Sequence, residues 1–337
     1  MSQELTPETG HASSRPGAGL TFGMVGIGDM GAALAESALR NGADIVVFDL
    51  RAEAIDRMVA KGARAASSLE QLAELCEAIV LVVVTDKQVD EVGNALLRNP
   101  GKLRSIIVSS TILPSTVIAL AGRAREKNIA VIDAPVSGAA DKAARGMVTV
   151  MIGGATDTVQ SCWPIFQSIG KNLYHIGPTG AGQVGKLVNN MLSLGGNMLQ
   201  LEAMELARAY GISEDKVTEY AAVSTMDSRG LRIWGQIDRG RRQHTMAGTR
   251  GIYELFAKDV NTAARAAGER GVVLPIAALI GSVMIDKAMA RDAWLEANGL
   301  TGPTPCCRIC GQELAVPFRK AGVHPECVHE FEPEAAR

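Results

Sequence analysis

Apolar positions in the first half of the chain occur in short runs, separated by segments with helical periodicity. Strands are therefore predicted at Leu20–Val25, Ile45–Phe48, Ala78–Val84, Ser105–Ser110 and Ala130–Ala134. Strands that alternate with amphipathic helices are typical of a parallel sheet covered on both faces. The first half is thus expected to be an α/β domain.

The pattern changes after Gly185, where strand-like runs stop and helical periodicity continues to about Asn298. The first of these helices is predicted to start at Lys186 and to end at Tyr210, before Gly211. Its apolar face comprises Leu187, Met191, Leu194, Met198 and Leu201. This pattern predicts a second, all-helical domain, packed against a partner subunit.

Composition adds limits to this picture. The chain has 337 residues, 47% hydrophobic and 21% charged, with a formal net charge of −2, which does not favour a nucleic-acid or membrane partner. Its longest apolar run, Ala78–Val84, is far shorter than the roughly 20 residues that a bilayer requires. Residues 1–19 are polar and lack the apolar core of a signal peptide, so we expect a disordered tail and a cytoplasmic protein.

A glycine-rich turn follows the first predicted strand and precedes a helix predicted at Ala32–Arg40. It reads Gly26-Ile27-Gly28-Asp29-Met30-Gly31. Gly26 allows a tight turn, Gly28 allows the backbone to approach a pyrophosphate, and Gly31 allows the helix to pack on the strand. This spacing and context indicate a dinucleotide-binding loop.

Asp49, at the end of the second predicted strand, indicates which dinucleotide binds. A carboxylate there accepts hydrogen bonds from the adenosine ribose and repels a 2′-phosphate, which favours NAD. Arg51 leaves NADP open, because its guanidinium could pair with that phosphate.

Two further motifs carry candidate chemistry. Lys186 and Asn190 are four residues apart on a predicted helix, so both can face one small molecule. Ser137, with the backbone N–H groups freed by Gly138, offers hydrogen-bond donors suited to a carboxylate. The loop around Thr111 leaves a strand end, where ligands bind in open α/β sheets.

Together these motifs resemble the β-hydroxyacid dehydrogenase family, which includes 3-hydroxyisobutyrate dehydrogenase, tartronate semialdehyde reductase and L-threonate dehydrogenase. The matching segments follow in order: Gly26–Gly31, Asp133–Ala139, Gly180–Asn190 and Lys258-Asp259-Val260. The resemblance implies a Rossmann domain followed by a helical domain, in a homodimer or homotetramer. It also implies that Lys186 is catalytic, that Asn190, Ser137 and Gly138 contact substrate, and that Thr111 and Lys258 lie near the cofactor.

In such an enzyme, Lys186 would remove the hydroxyl proton as hydride leaves the carbon, and would return it in the reverse direction. For this its pKa must fall from about 10.4. Burial, the positive nicotinamide and the second cation Lys258 would all disfavour the protonated amine.

A separate cluster of cysteines lies in the last part of the chain. Cys307, Cys310, His324 and Cys327 form a C-x-x-C and H-x-x-C set that is similar to a treble-clef zinc finger. So short a segment cannot bury a sufficient core, so a structural Zn²⁺ is expected. Cys306 or His329 could replace a neighbouring ligand.

The expected organisation is therefore a disordered tail (1–19), a Rossmann domain (20–184), a helical domain (185–298), a linker (299–305), a zinc module (306–330) and a short tail (331–337). The favoured function is an NAD(P)-dependent dehydrogenase of a small hydroxy acid. Two alternatives stay open: a catalytically idle cofactor-binding scaffold in which the zinc module recruits a partner, and an imine reductase.

Overall fold

The computed structural model describes residues 15–221, 223–236, 238 and 252–301. The chain divides into two compact units, one up to Lys186 and one from Leu187 onward. This division falls within two residues of the expected boundary after residue 184.

The N-terminal unit is built on one nine-stranded sheet. Its spatial order is β3-β2-β1-β4-β5-β6-β8-β7, with β9 paired to β8. The pairs from β3 to β6 are all parallel. The strands are β1 (Thr21–Val25), β2 (Asp44–Phe48), β3 (Arg64–Ala65), β4 (Ala78–Leu81), β5 (Ser105–Val108), β6 (Ala130–Asp133), β7 (Val136–Ser137), β8 (Thr149–Gly153) and β9 (Asn172–Gly177).

Helices cover both faces of this sheet, as the alternation of strands and helices predicts. They are α1 (Asp29–Arg40), α2 (Ala52–Val59), α3 (Leu69–Leu75), α4 (Asp86–Arg98), α5 (Pro114–Arg125), α6 (Ala140–Ala144), α7 (Thr156–Ser161) and α8 (Trp163–Ile169). Successive residues of a strand point to opposite faces. Accordingly, Phe22 and Met24 of β1 belong to one buried cluster and Val25 to another. The strand order is that of a Rossmann fold.

Residues 15–19 correct the expectation of a disordered tail that reaches residue 19. Gly17 is buried, and its backbone N–H donates to the Asn41 carbonyl at 2.9 Å. These residues are therefore ordered against the end of α1. Residues 1–14 lie outside the described part of the chain.

The helix α9 (Ala181–Ala209) begins in the N-terminal unit and continues into the C-terminal unit. Its start is earlier than the Lys186 expected from apolar periodicity. In the C-terminal unit the described helices that follow are α10 (Glu214–Ala221), α11 (Arg229–Arg232), α12 (Ile252–Gly268) and α13 (Pro275–Ala297). The all-helical character predicted for this part of the chain is confirmed for its described residues.

A buried ion-pair cluster joins three parts of the helical unit. The Arg291 guanidinium of α13 bonds to Glu214 Oε2 at 2.7 Å and to Asp238 Oδ2 at 3.1 Å. It also lies over the rings of Trp234 and Trp294, at 5.2 and 4.8 Å from their centroids. Burial alone would raise the pKa of Glu214, but the bonds from Arg291 and Trp234 outweigh it and lower that pKa. The contact between Arg291 and Glu214 therefore depends on an ionised Glu214.

Among the described residues, no helix combines the length and the apolar character that crossing a membrane requires. The expected zinc ligands Cys307, Cys310, His324 and Cys327 lie outside the described residues.

Candidate functional site

The glycine-rich turn connects β1 to α1 with the geometry expected of a phosphate-binding loop. Gly26 has φ +85°, and a Cβ there would lie 2.4 Å from the Val82 carbonyl oxygen. A Cβ on Gly31 would lie 2.0 Å from the Gly26 carbonyl oxygen, so helix and turn pack too closely for a side chain. By contrast, a Cβ on Gly28 would meet only the Arg51 guanidinium, at 3.7 Å. The Gly28 backbone is thus open to a ligand, and the turn fits a dinucleotide pyrophosphate.

Asp49 follows β2 and is held against this turn. Its Oδ2 accepts the backbone N–H of Ile27 at 2.8 Å, and its Oδ1 accepts Arg51 Nε at 3.1 Å. Burial acts to raise the pKa of Asp49, but hydrogen bonds from Arg51 and Ile27 hold it below its usual range. Asp49 is therefore an ionised acceptor, and Arg51 is paired with it.

Thr111 follows β5 at the carboxyl edge of the parallel strands, the edge that also carries the glycine-rich turn and Asp49. Its neighbour Ser110 is buried and accepts the backbone N–H of Val83 through Oγ at 2.8 Å. The loops after β4 and β5 are thus bonded to each other. This edge is where open α/β sheets bind ligands.

Ser137 is the last residue of β7, and Gly138 follows it in the turn before α6. Ser137 is partly buried, whereas Gly138 is exposed and has φ +143°. A Cβ on Gly138 would lie 2.8 Å from Val148 Cγ1, so a side chain there would have to displace Val148, which precedes β8. The exposed turn leaves backbone donors accessible to an anionic ligand.

Lys186 and Asn190 both lie on α9, one helical turn apart, as predicted. Lys186 is partly buried and Asn190 is buried. Asn190 Nδ2 donates to Asp259 Oδ2 at 2.7 Å, and its Oδ1 accepts from Asn189 at 3.0 Å. These two bonds set the orientation of the Asn190 amide.

Lys258, the expected cofactor contact on α12, pairs with its neighbour. Its Nζ lies 2.9 Å from Asp259 Oδ1, with the Lys258 side chain 29% exposed. Asp259 therefore contacts both Asn190 and Lys258. The sequence left a pair between Lys258 and Asp259 as the alternative to a cofactor contact of Lys258, and the structure contains that pair.

Two residues were missed as functional candidates. Asp133 ends β6, is fully buried, and accepts the backbone N–H groups of Gly180 at 2.6 Å and Gln183 at 2.7 Å. Burial raises the pKa of Asp133 to about 6, against the lowering effect of those bonds. Gln183 is also fully buried. The sequence did contain a sign of Asp133, because it is an acid inside the apolar run Ala130–Ala134. No sequence pattern marks Gln183.

Family models match both parts of the chain. Residues 21–177 match the NAD-binding domain of 6-phosphogluconate dehydrogenase. Residues 180–296 match the NAD-binding model of NADP-dependent 3-hydroxyisobutyrate dehydrogenase. The match boundaries enclose the glycine-rich turn, Ser137, Lys186 and Lys258.

Individual proteins agree with these models. The chain is 32% identical over 283 residues to the NAD-dependent L-serine dehydrogenase of Pseudomonas aeruginosa, covering 81% of this chain and 93% of that protein. It is 31% identical over 268 residues to 2-(hydroxymethyl)glutarate dehydrogenase of Eubacterium barkeri, covering 77% and 86% of the two chains. The crystal structure of 3-hydroxyisobutyrate dehydrogenase from Salmonella typhimurium has a TM-score of 0.62 and 27% identity, covering 89% and 98%.

Sequence, fold and site therefore agree. The chain belongs to the β-hydroxyacid dehydrogenase family that includes 3-hydroxyisobutyrate dehydrogenase, and it is an NAD(P)-dependent oxidoreductase that acts on the CH–OH group of its donors.

Proposed function

We propose that this protein oxidises a small β-hydroxy acid, similar to 3-hydroxyisobutyrate, by lysine acid/base catalysis. The observation that carries this proposal is the pair Lys186 and Asn190, one turn apart on α9, with the Asn190 amide oriented by Asp259. An oriented amide can hold a hydroxyl group, and a neutral amine can take its proton.

The residues have separate roles in this proposal. Lys186 Nζ accepts the hydroxyl proton during oxidation and returns it during reduction. Asn190 holds the same hydroxyl, and Ser137 with the Gly138 N–H binds the carboxylate. Holding both ends of the substrate fixes the reacting carbon and lowers the entropic part of the barrier.

The preferred cofactor in this proposal is NAD, which supplies the hydride acceptor. Gly26, Gly28 and Gly31 would hold the pyrophosphate, with Ile27, Asp29 and Met30 completing the turn. Asp49, which is ionised, would accept the ribose hydroxyls and repel a 2′-phosphate. Thr111 and Lys258 are proposed as further cofactor contacts, and use of NADP remains the alternative that Arg51 offers.

Measurement of NADH formation with a panel of small hydroxy acids tests the proposal. The panel includes 3-hydroxyisobutyrate, L-serine, 2-(hydroxymethyl)glutarate and L-threonate, with a cyclic imine and NADPH as a separate assay. The expected result is turnover of at least one β-hydroxy acid, in which the hydroxyl-bearing carbon is bonded to the carbon that carries the carboxylate. Imine reduction without any alcohol oxidation would contradict it.

The protein is further proposed to be a homodimer or homotetramer. Four large apolar side chains on α9 are at least half exposed, at spacings of four and seven residues that place them on one face: Val188, Leu192, Leu199 and Leu206. On α13, Ile276 and Leu279 are 73% and 65% exposed. So much apolar surface on long helices is typical of a face covered by another subunit.

A structural zinc module at residues 306–330 is the last element of the proposal. Its support is the spacing of Cys307, Cys310, His324 and Cys327, which matches a tetrahedral Cys₃His set. Zinc there would stabilise the short segment and take no part in the lysine chemistry.

A further inference from the structure

The side chain of Gln183 bridges the two backbone groups on either side of Thr111. Its Nε2 donates to the Ser110 carbonyl oxygen at 2.8 Å, and its Oε1 accepts the Ile112 N–H at 3.1 Å. Gln183 is fully buried, so both bonds are shielded from water. One amide thus satisfies a buried carbonyl and a buried N–H of the same loop.

The main chain of Gln183 is held as well. Its N–H donates to Asp133 Oδ2 at 2.7 Å, while Gly180 N–H donates to Asp133 Oδ1 at 2.6 Å. A Cβ on Gly182 would lie 2.5 Å from the Met151 carbonyl oxygen, so the first turn of α9 lies directly on the sheet. The start of α9 is therefore anchored to the ends of β5 and β6.

These contacts form a continuous chain through the N-terminal unit. Val83, after β4, donates its N–H to Ser110 Oγ, and Ser110 accepts from Gln183 through its carbonyl oxygen. Lys186 lies three residues after Gln183 on the same helix. The loop that carries Thr111 and the helix that carries Lys186 are thus joined by one side chain.

We propose that Gln183 is a positioning residue that sets the Thr111 loop and the Lys186 helix in one fixed relation, a role that rests on the proposed function. Hydride transfer needs the cofactor and the base to be placed together, and a displacement of about 1 Å can cost about 10²-fold in rate. Glutamine suits this position because it offers a donor and an acceptor on one planar group. Glutamate would place an oxygen against the Ser110 carbonyl, and methionine would make neither bond.

The kinetic test uses Gln183→Met, which keeps the length of the side chain, and Gln183→Glu. In Gln183→Met, the KM for NAD and the Kd for NADH should rise about fivefold or more, kcat should fall about 10- to 100-fold, and the KM for the hydroxy acid should change little. Gln183→Glu should be at least as impaired. The matched control is Ser37→Ala, which removes an equally buried hydrogen bond, to the Ser168 carbonyl at 3.0 Å, and should leave these constants unchanged.

A folded Gln183→Met protein with wild-type kcat and NADH affinity would overturn the proposal. Equal loss of NADH affinity in Gln183→Met and Ser37→Ala would also overturn it, because the effect would then be general destabilisation.

A second measurement separates this inference from the proposed function. Amide hydrogen exchange of the segment 109–116 in the cofactor-free protein should speed up in Gln183→Met and not in Ser37→Ala, because Ile112 N–H loses its acceptor. Unchanged exchange would contradict the bridge whatever the activity. If the wild-type protein neither binds NADH nor oxidises a hydroxy acid, the proposed function fails, while exchange still decides the bridge.

Discussion

Asn190 donates its side-chain Nδ2–H to Asp259 Oδ2 at 2.7 Å, across sixty-nine positions of sequence. Asp259 Oδ1 also lies 2.9 Å from Lys258 Nζ. One carboxylate therefore orients the Asn190 amide and forms an ion pair with the neighbouring lysine. The pair explains how an amide with two possible orientations presents a defined one.

Asp259→Asn should therefore lower kcat/KM for the hydroxy acid, because Asn190 loses the carboxylate that orients its amide. Loss of one charge-assisted hydrogen bond corresponds to about 1.5 kcal/mol, or roughly tenfold in kcat/KM for the hydroxy acid. Steady-state kinetics at saturating NAD measure it. Asp227→Asn, which breaks an exposed pair with Arg232 in the same unit, is the control and should have no effect. Unchanged kinetics in Asp259→Asn would remove the orienting role.

Lys186→Ala should lower turnover by about 10² to 10⁴, the usual contribution of a positioned acid or base. NADH affinity and thermal unfolding should stay close to wild type, because the proposed cofactor contacts are other residues. Lys171→Ala, at an exposed lysine of the same unit, serves as the control. Near-normal turnover in Lys186→Ala would exclude this lysine as the base.

Asp49→Ser should narrow the proposed preference for NAD over NADP. The substitution removes an ionised acceptor and the repulsion of a 2′-phosphate, and it releases Arg51; the ratio of the two kcat/KM values should fall about tenfold or more. Asp44→Ser, at the start of β2, controls for loss of an acid at the opposite end of the strand that Asp49 follows. A wild-type preference for NADP would show that Arg51 governs this part of the pocket.

Arg291→Met should destabilise the helical unit by about 3 kcal/mol, because Glu214 and Asp238 would each lose buried bonds to its guanidinium, while Arg208 would still pair with Glu214. The lowered pKa of Glu214 means that its stabilising effect is present above the unfolded pKa and is lost as pH falls. The difference between wild type and variant should therefore shrink from pH 7 toward pH 4.

Chemical denaturation at several pH values measures this difference. Lys287→Met, which removes a more exposed pair with Glu205 at 3.0 Å, should cost less than about 1 kcal/mol. A pH-independent loss in Arg291→Met would mean that packing, not charge, accounts for the effect.

Metal analysis of the purified protein should give about one zinc per chain, lost when Cys307 and Cys310 are both changed to serine. Cys306→Ser should retain the metal, and its loss there would show that Cys306 replaces a neighbouring ligand. Removal of residues 302–337 should abolish zinc and leave dehydrogenase activity intact. Absence of zinc under reducing conditions would refute the module.

Five parallel strands were predictable, because buried parallel strands consist of short apolar runs. The observed strands β1, β2, β4, β5 and β6 each overlap the apolar run that predicted them. The start of α9 was not predictable, since Gly180, Gly182 and Gly185 favour a loop by propensity. Asp133 overrides that preference by accepting the N–H groups of Gly180 and Gln183. Gln183 itself could not be found from one sequence, because its partners are main-chain groups brought close only by the sheet.

Gln183 and Asp133 bond to main-chain groups, and this determines which substitutions the adjoining loops can accept. Their partners are the carbonyl oxygen of Ser110 and the N–H groups of Ile112, Gly180 and Gln183. Every residue except proline supplies the N–H group, and all residues supply the carbonyl. The Thr111 side chain takes no part in these bonds, so a substitution of Thr111 can alter the ligand-facing loop and keep the bridge that holds it.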